Sequence, residues 1–241
     1  MMRRMTKISL LRALAPAALL LGVSLLPGCA TAPATAPITN QEVFTGIYSE
    51  KPNSILVLPA INHSTAADAP LYYIASIAQP LTEQGYYVLP VPVTNALLQQ
   101  AGISDGAQLL AVPPQRFGQM FGADAILFVT IDSWDTSYYV LGGNVTVALT
   151  FKLVSTRSSE TLWQFRKAVT IDTSGNSNNG LIGALVETAI KTAQQDYFPI
   201  AQQVNYGSVG VLPHGKFHPQ YGLDATQASR AEYNQPVDDS E

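Results

Sequence analysis

The sequence predicts an α/β (α+β) fold in which helices pack on one mixed sheet. Two short apolar runs, residues 55–58 and 86–89, each end at a proline and are separated by a helical pattern, as in parallel strand–helix–strand crossovers. Two longer runs, residues 145–153 and 163–171, alternate apolar with polar residues, which is typical of antiparallel strands with one solvated face. Two crossovers followed by an antiparallel meander therefore predict a mixed sheet with helices packed against it.

The first helix of this fold is predicted over residues 71–84, where apolar side chains recur every three or four positions. Asp68 stands at the N-cap position and Pro70 in the first turn. Gly85 follows at the C′ position, where a residue without a Cβ most easily adopts the left-handed backbone. We therefore expect the helix to end at this glycine.

The remaining elements follow from the same patterns. Helices are predicted over residues 92–101 and 113–121, each closed by a glycine, and a central buried strand over residues 125–131. A last helix is expected over residues 181–198, whose apolar side chains fall on one side. The predicted element order is β-α-β-α-α-β-β-β-α.

Residues 1–28 have the pattern of a secretory signal peptide. Four basic residues occur up to Arg12, an apolar run extends to Leu26, and the first acidic residue is Glu42. The uninterrupted apolar part, residues 13–26, is too short to span the ~30 Å of bilayer hydrocarbon comfortably as a helix. These features predict export followed by removal of the segment.

Cys29 directly follows this segment and is the only cysteine, so it has no partner for an internal disulfide. The alternative to a modified cysteine is an ordinary signal peptide that happens to contain one. Residues 26–29, Leu-Pro-Gly-Cys, resemble the lipobox of bacterial lipoproteins, although Pro27 replaces the usual small residue. The resemblance implies diacylglycerol on the Cys29 thiol, cleavage after Gly28, and anchoring in a membrane. Ala30, in place of a retaining aspartate, implies the outer membrane, with the domain in the periplasm or at the cell surface.

Composition divides the chain into four parts. After the signal peptide, residues 29–45 hold the lipidated N-terminus and an Ala/Pro/Thr tether that buries nothing. Residues 46–205 form the predicted globular domain, with its ordered part beginning between positions 43 and 53. Residues 206–241 are predicted to be a polar tail, which is rich in glycine and proline and has too little apolar matter to fold alone.

The charge balance excludes nucleic acid as a partner. Removal of 28 residues leaves a chain of 213, with all 17 acidic residues against 9 basic ones, a formal charge of −8. No basic cluster remains to bind phosphates, so anionic lipid headgroups are poor partners as well.

Four short motifs carry a resemblance that covers about residues 53–197. They are ILVLP-x-x-N-x-S at residues 55–64, QGYYV at 84–88, FGADA at 121–125 and TRSSETLW at 156–163. This chain looks like the N-terminal domain of the Tol-system propeller protein. It is similar also to curli-secretion lipoproteins and to lipoprotein activators of peptidoglycan synthases. In the last motif a serine replaces the turn glycine of these relatives.

A fifth motif, LPHGKFHP at residues 212–219, resembles the ending of a family of bacterial surface lipoproteins first noticed as a meningococcal vaccine candidate. Members of that family are considered transport auxiliaries and are encoded beside a curli-secretion-type lipoprotein. The resemblance implies an accessory role in envelope assembly or export, a curli-secretion-type lipoprotein among the partners, and a homodimer. The alternative is an activator of a peptidoglycan synthase. The resemblance supplies no catalytic residue.

The residues themselves also argue against an enzyme. His63 and Ser64 follow the first strand and Asp68 lies nearby, but neighbours on one loop seldom converge into a nucleophile and base, and no Gly-x-Ser-x-Gly motif occurs. A polar cluster that structures the loop is the favoured interpretation. No cofactor is expected.

His214 and His218 are weak candidates for a metal site, because their spacing suits two zinc ligands while Asp224 is the only carboxylate near them. The favoured interpretation is a proline-stiffened segment that packs on the domain or on a partner.

Trp134, Tyr138 and Tyr139 form an aromatic stretch at a strand end. Such residues either close the core or act as anchors of an interaction surface, and we take them as a candidate surface of that kind. Gly142 and Gly143 are predicted to form the hairpin turn that follows, since no helix or lysine is present to complete a phosphate-binding loop.

Overall fold

The computed structural model describes residues 37–139, 142–172 and 197–237. Its sheet has the order β3-β1-β4-β5-β6, and β2 pairs with β4 beyond the end of β1. Strands β1 and β3, β1 and β4, and β2 and β4 are parallel, whereas β4, β5 and β6 form an antiparallel meander. The predicted mixed sheet is therefore confirmed. The strands are β1 Ser54–Val57, β2 Ile61–Asn62, β3 Tyr87–Val88, β4 Ala125–Tyr139, β5 Gly142–Ser155 and β6 Thr161–Asp172.

Within the described ranges, helices cover both faces of the sheet. Two short 3-10 turns, Gly106–Leu109 and Ala231–Asn234, accompany them. The helices are α1 Asn40–Val43, α2 Thr45–Glu50, α3 Ala69–Ser76, α4 Ala78–Glu83, α5 Val91–Gln100, α6 Pro114–Phe121 and α7 Phe198–Val209.

The alternation of side chains along the strands divides the core in two. Ile55 and Val57 of β1 contribute to a large cluster with α2, α3 and α7, whereas Leu56 contributes to a smaller one with α5 and α6. All three residues are at most 1% exposed, so β1 is buried on both faces, as its continuous apolar run predicts. Where α5 and α6 do not cover it, the face of β5 that points away from the larger cluster carries polar residues such as Thr150, as predicted for a solvated face.

The predicted helix over residues 71–84 is two helices. Pro80 has no N–H to donate to the carbonyl of Ser76, and the helical pattern breaks at Ile77, between α3 and α4. Asp68 is at the N-cap position of α3 but makes no capping hydrogen bond with its side chain. Gly85 has a φ of +93° and ends α4, as predicted.

The central strand is longer than residues 125–131. It reaches Tyr139, because the antiparallel pairing with β5 supports it beyond the end of its parallel pairing with β2. Gly142 and Gly143 are not the hairpin turn, since they already pair with Tyr139 and Tyr138 as the first residues of β5. Residues 140–141, which connect the strands, lie outside the described residues.

Both ends of the folded domain differ from the predicted limits of 46 and 205. Phe44 is completely buried in the larger core cluster, and α7 continues through position 205 to Val209. Leu212, in the segment predicted to be a polar tail, is also buried in that cluster. Residues 181–196 of the predicted last helix lie outside the described residues, and Phe198 begins α7. Buried apolar residues thus tie the chain on both sides of the predicted limits to the larger core cluster.

Candidate functional site

The C-terminal segment, defined here as residues 212–230, docks on the turn between α4 and β3. The Gly215 N–H donates to the carbonyl of Gln84 at 2.8 Å, and the Phe217 N–H donates to that of Gly85 at 3.0 Å. The Tyr86 hydroxyl donates to the carbonyl of Pro213 at 2.8 Å. The two sequence motifs at residues 84–88 and 212–219, more than 120 positions apart, therefore form one structural unit.

Glycine at position 85 is required by this contact as well as by the turn. A Cβ on Gly85 would stand 2.5 Å from both the Cβ and the backbone nitrogen of His218. The φ of +93° adds strain for any residue with a side chain. The turn and the C-terminal segment are thus matched to each other at van der Waals distance.

The imidazole rings of His214 and His218 are stacked, with centroids 3.7 Å apart and planes 6° from parallel. The Gln220 N–H donates to Nδ1 of His218 at 3.1 Å, and the side-chain amide of Gln84 lies 3.3 Å from Nδ1 of His214. The nitrogen lone pairs of these parallel rings point alongside each other rather than toward one point, whereas zinc ligands converge on the ion. Within the described ranges, no group of three or more His, Cys, Asp or Glu residues is arranged to hold a metal ion.

Asp224 connects the C-terminal segment to the N-terminal helices. It is 3% exposed, and its carboxylate accepts hydrogen bonds from the Tyr48 hydroxyl at 3.0 Å and from the backbone N–H of His214 at 2.8 Å. Its carbonyl accepts from the side-chain amide of Asn40 at 3.0 Å. Burial raises the pKa of Tyr48, and the nearby Asp224 carboxylate raises it further, so the hydroxyl remains a donor. The sequence showed Asp224 only as a nearby carboxylate, because its partners are distant in the chain.

A cavity of about 270 Å³ lies between these helices and the C-terminal segment. Lys51, which is exposed, stands at its wall together with Tyr48 and Tyr86, whose hydroxyls are already bound to Asp224 and to Pro213. The cavity wall therefore combines aromatic rings with aliphatic and polar side chains, and Lys51 places a cation beside it.

The histidine pair predicts a dependence of stability on pH. Burial, then the neighbouring His218, lowers the pKa of His214, while Asp224 and Gln220 oppose the shift. Since the folded chain binds the proton more weakly than the unfolded chain, the stabilisation is present above the ordinary histidine pKa of about 6.5 and is lost as the pH falls through the lower folded value.

We expect the urea concentration at the unfolding midpoint to decrease when the pH is lowered from 7.5 to about 5.5. The decrease should be smaller in His214→Gln. The control is His63→Ala, which removes an exposed histidine and should retain the full dependence. An unchanged pH dependence in His214→Gln would contradict this origin.

The loop after β2 takes the structural role that was favoured for it. The Ser64 hydroxyl donates to the side-chain oxygen of Asn62 at 2.7 Å, and the Asn62 amide donates to the carbonyl of Ala66 at 2.9 Å. His63 is exposed, and among the described residues no hydrogen bond joins its ring to Ser64 or to Asp68. The hydrogen bonds of Asn62 and Ser64 therefore hold this loop in its conformation.

Trp134 lies in the core rather than on an interaction surface. It is 3% exposed, stacks on Tyr72 with ring centroids 5.9 Å apart, and meets Tyr197 edge-on at 6.4 Å. Of the two alternatives for this aromatic stretch, Trp134 takes the one that closes the core. Tyr138 and Tyr139 belong to β4, but their side chains lie outside the description, so their role in an interaction remains a prediction.

The motif Gly-Ala-Asp also has a structural role. The Asp124 carboxylate accepts from the backbone N–H groups of Asn53 and Ser54 at 2.9 and 3.1 Å, which holds the start of β1 beside that of β4. Thr156, from the last motif of the same resemblance, donates to the carbonyl of Ala123 at 2.6 Å. These motifs therefore specify how the sheet is assembled.

Comparison with known proteins agrees with this fold. The family model "Putative lipoprotein GNA1162-like" matches residues 43–209. The chain belongs to this family. A curated relative of this GNA1162-like chain is "Putative lipoprotein NMB1124/NMB1162" of Neisseria meningitidis serogroup B. The two are 38% identical over 147 residues, which cover 61% of this chain and 68% of the relative.

The crystal structure of lipoprotein GNA1162 from Neisseria meningitidis is similar to 60% of this chain and matches over its whole length, with 36% identity and a TM-score of 0.50. The PelC dodecamer from Paraburkholderia phytofirmans is 14% identical, with a TM-score of 0.41 over 69% of this chain and 91% of PelC. In the described residues of this chain, no helix has the length and apolar character needed to cross a membrane.

Proposed function

We propose that this GNA1162-like protein is an outer-membrane lipoprotein that acts as a non-enzymatic accessory module in envelope assembly or export. The observation that carries the proposal is Cys29, the only cysteine of a chain in a lipoprotein family, at the end of a run that resembles a lipobox. It precedes Pro37, the first described residue of the domain, by only eight positions. Lipid on Cys29 would therefore hold the domain close to the membrane surface.

The way the polar side chains are used supports a binding role rather than catalysis. Ser64, His214 and Asp224 each belong to a residue type used in catalysis, and each is engaged in holding a loop or a segment in place. Confinement at a membrane raises the effective concentration of such a domain for neighbouring envelope proteins, without any new contact. Recruitment is the mechanism that follows from these features.

The anchor is tested with Cys29→Ser in the full-length protein. We expect the wild type to sediment with membranes, and with the outer membrane on a sucrose gradient. We expect the variant to be recovered in the soluble envelope fraction. The variant has no acyl chains, each buried CH₂ of which contributes about 0.8 kcal/mol to membrane binding. The matched control is Pro27→Ala, which restores a small residue in the lipobox and should remain membrane-bound. Retention of Cys29→Ser in the membrane fraction at the wild-type level would refute the anchor.

The partner is identified by crosslinking the lipidated protein in cells and capturing it. Recovery of a curli-secretion-type lipoprotein or a transporter supports the accessory role. Recovery of a peptidoglycan synthase instead supports the activator alternative, and a crosslink between two copies alone supports a homodimer. Tyr138→Ala and Tyr139→Ala are the variants to compare first, because these residues remain candidates for the interaction surface.

A further inference from the structure

The C-terminal segment keeps large apolar side chains in water although its backbone is firmly docked. Phe217, Tyr221 and Leu223 are 65%, 42% and 70% exposed. All three lie in a run of consecutive turns. The backbone N–H of Tyr221 donates to the carbonyl of His218, and that of Leu223 donates to the carbonyl of Gln220, each at 3.0 Å. Several large apolar residues exposed within seven positions indicate a surface that is covered in use.

The same segment exposes basic side chains but no acidic one. Between residues 210 and 231 the only acidic residue is Asp224, which is buried and hydrogen-bonded. Lys216 and Arg230 are both exposed. In a chain with a predicted mature charge of −8, this stretch thus exposes Phe217, Tyr221 and Leu223 together with two basic side chains and no acidic one. This combination is typical of surfaces at the water–bilayer interface, where tyrosine and lysine keep their polar ends in water.

The segment also lies where the chain enters the domain from the anchor. The Ser229 N–H donates to the carbonyl of Ile38 at 2.8 Å, and the Asn40 N–H donates to that of Gln227 at 2.9 Å. Thr39 and Ala228 form an isolated antiparallel bridge. Eight residue steps from Cys29 to Pro37 extend at most about 28 Å. If Cys29 carries lipid, this end of the domain therefore cannot move far from the bilayer.

We propose that the exposed side of the C-terminal segment, with Phe217, Tyr221, Leu223 and Lys216, inserts into the interfacial region of the phospholipid bilayer that holds the anchor. The proposal rests on lipidation of Cys29 and adds an orientation to it. Three side chains are a weak anchor by themselves, but the tether makes their binding intramolecular. The docked domain would then leave α5 and α6, on the other face of the sheet, for protein partners.

The test places a fluorescent reporter on this surface. The two native tryptophans, Trp134 and Trp163, are buried, so Phe217→Trp adds the only exposed one among the described residues. The matched control is Leu97→Trp, at a position of α5 that is 50% exposed. Each lipidated full-length protein is reconstituted into phosphatidylcholine vesicles with either plain or brominated acyl chains, and its emission is recorded.

We expect Phe217→Trp to shift its emission to the blue and to be quenched by brominated lipid several-fold more than Leu97→Trp. Leu223→Trp is a second reporter, and urea unfolding of each variant shows that it is folded. If a folded reporter on the segment is quenched no more than the control, membrane docking is refuted. Failure of the unmodified protein to sediment with the vesicles would instead refute the lipid anchor, so the two proposals fail separately.

Discussion

Gly85→Ala is expected to release the C-terminal segment from the domain and to lower the free energy of unfolding by about 3 kcal/mol. Two physical effects add at this position. A residue with a Cβ is strained at a φ of +93°, and the new atom would stand 2.5 Å from the Cβ and nitrogen of His218. The segment cannot move away without losing the backbone hydrogen bonds from Gly215 and Phe217.

Gly102→Ala separates these two effects. Gly102 also has a positive φ, +83°, but an added Cβ there has no atom within 4 Å. Only the backbone strain remains, so we expect a loss of about 1 kcal/mol. Urea unfolding measures both losses, and hydrogen exchange of residues 212–224 should become faster in Gly85→Ala alone. Equal losses with unchanged exchange in that segment would show that its docking does not depend on the close approach.

Asp224→Ala alone is expected to lower the free energy of unfolding by a similar amount, about 3 kcal/mol, by a different mechanism. The variant leaves the Tyr48 hydroxyl and the backbone N–H of His214, which are both part-buried, without the buried carboxylate that accepts from them. Unpaired buried donors cost more than the net value of the bonds they made. Because these bonds join α2 to the C-terminal segment, we expect residues near Tyr48 to exchange faster together with that segment.

Glu232→Ala is the control for removing a carboxylate from the same part of the chain. Glu232 pairs with Arg230 at 3.4 Å, but both side chains are more than 60% exposed, so the pair contributes little. Its urea midpoint should stay close to that of the unmodified protein. A loss in Asp224→Ala no larger than in Glu232→Ala would mean that the buried carboxylate does not hold the segment.

Local sequence patterns were sufficient to predict the mixed sheet, but they predicted the ends of individual helices and strands poorly. The alternation along residues 145–153 and the continuous run at 55–58 reflect which faces of each strand are buried, and this is a property of consecutive residues. The break at Ile77 depends on one proline three positions later, which the amphipathic pattern concealed. The extension of β4 to Tyr139 depends on pairing with β5 and is not visible in the residues of β4 themselves.

The candidate sites show the same division. The spacing of His214 and His218 is compatible with metal binding, but in the folded chain their rings are stacked on each other. Trp134 and the tyrosines that follow it read alike in the sequence, yet Trp134 is buried because Tyr72 and Tyr197 pack around it. Burial is set by residues brought together from distant positions, and no local pattern records it.

The sequence by itself predicted a lipid anchor and the fold class, because a lipobox-like motif is a run of consecutive residues and strand patterns are local. Only the tertiary structure decided the role of the C-terminal segment. Asp224 bonds to Tyr48 and Asn40, 176 and 184 positions away, and Gly215 bonds to the turn at Gln84. Such contacts arise only when the chain has folded. The segment is too polar to fold alone, and it is held in place by the buried carboxylate of Asp224 and by its close packing at Gly85 and Gly215.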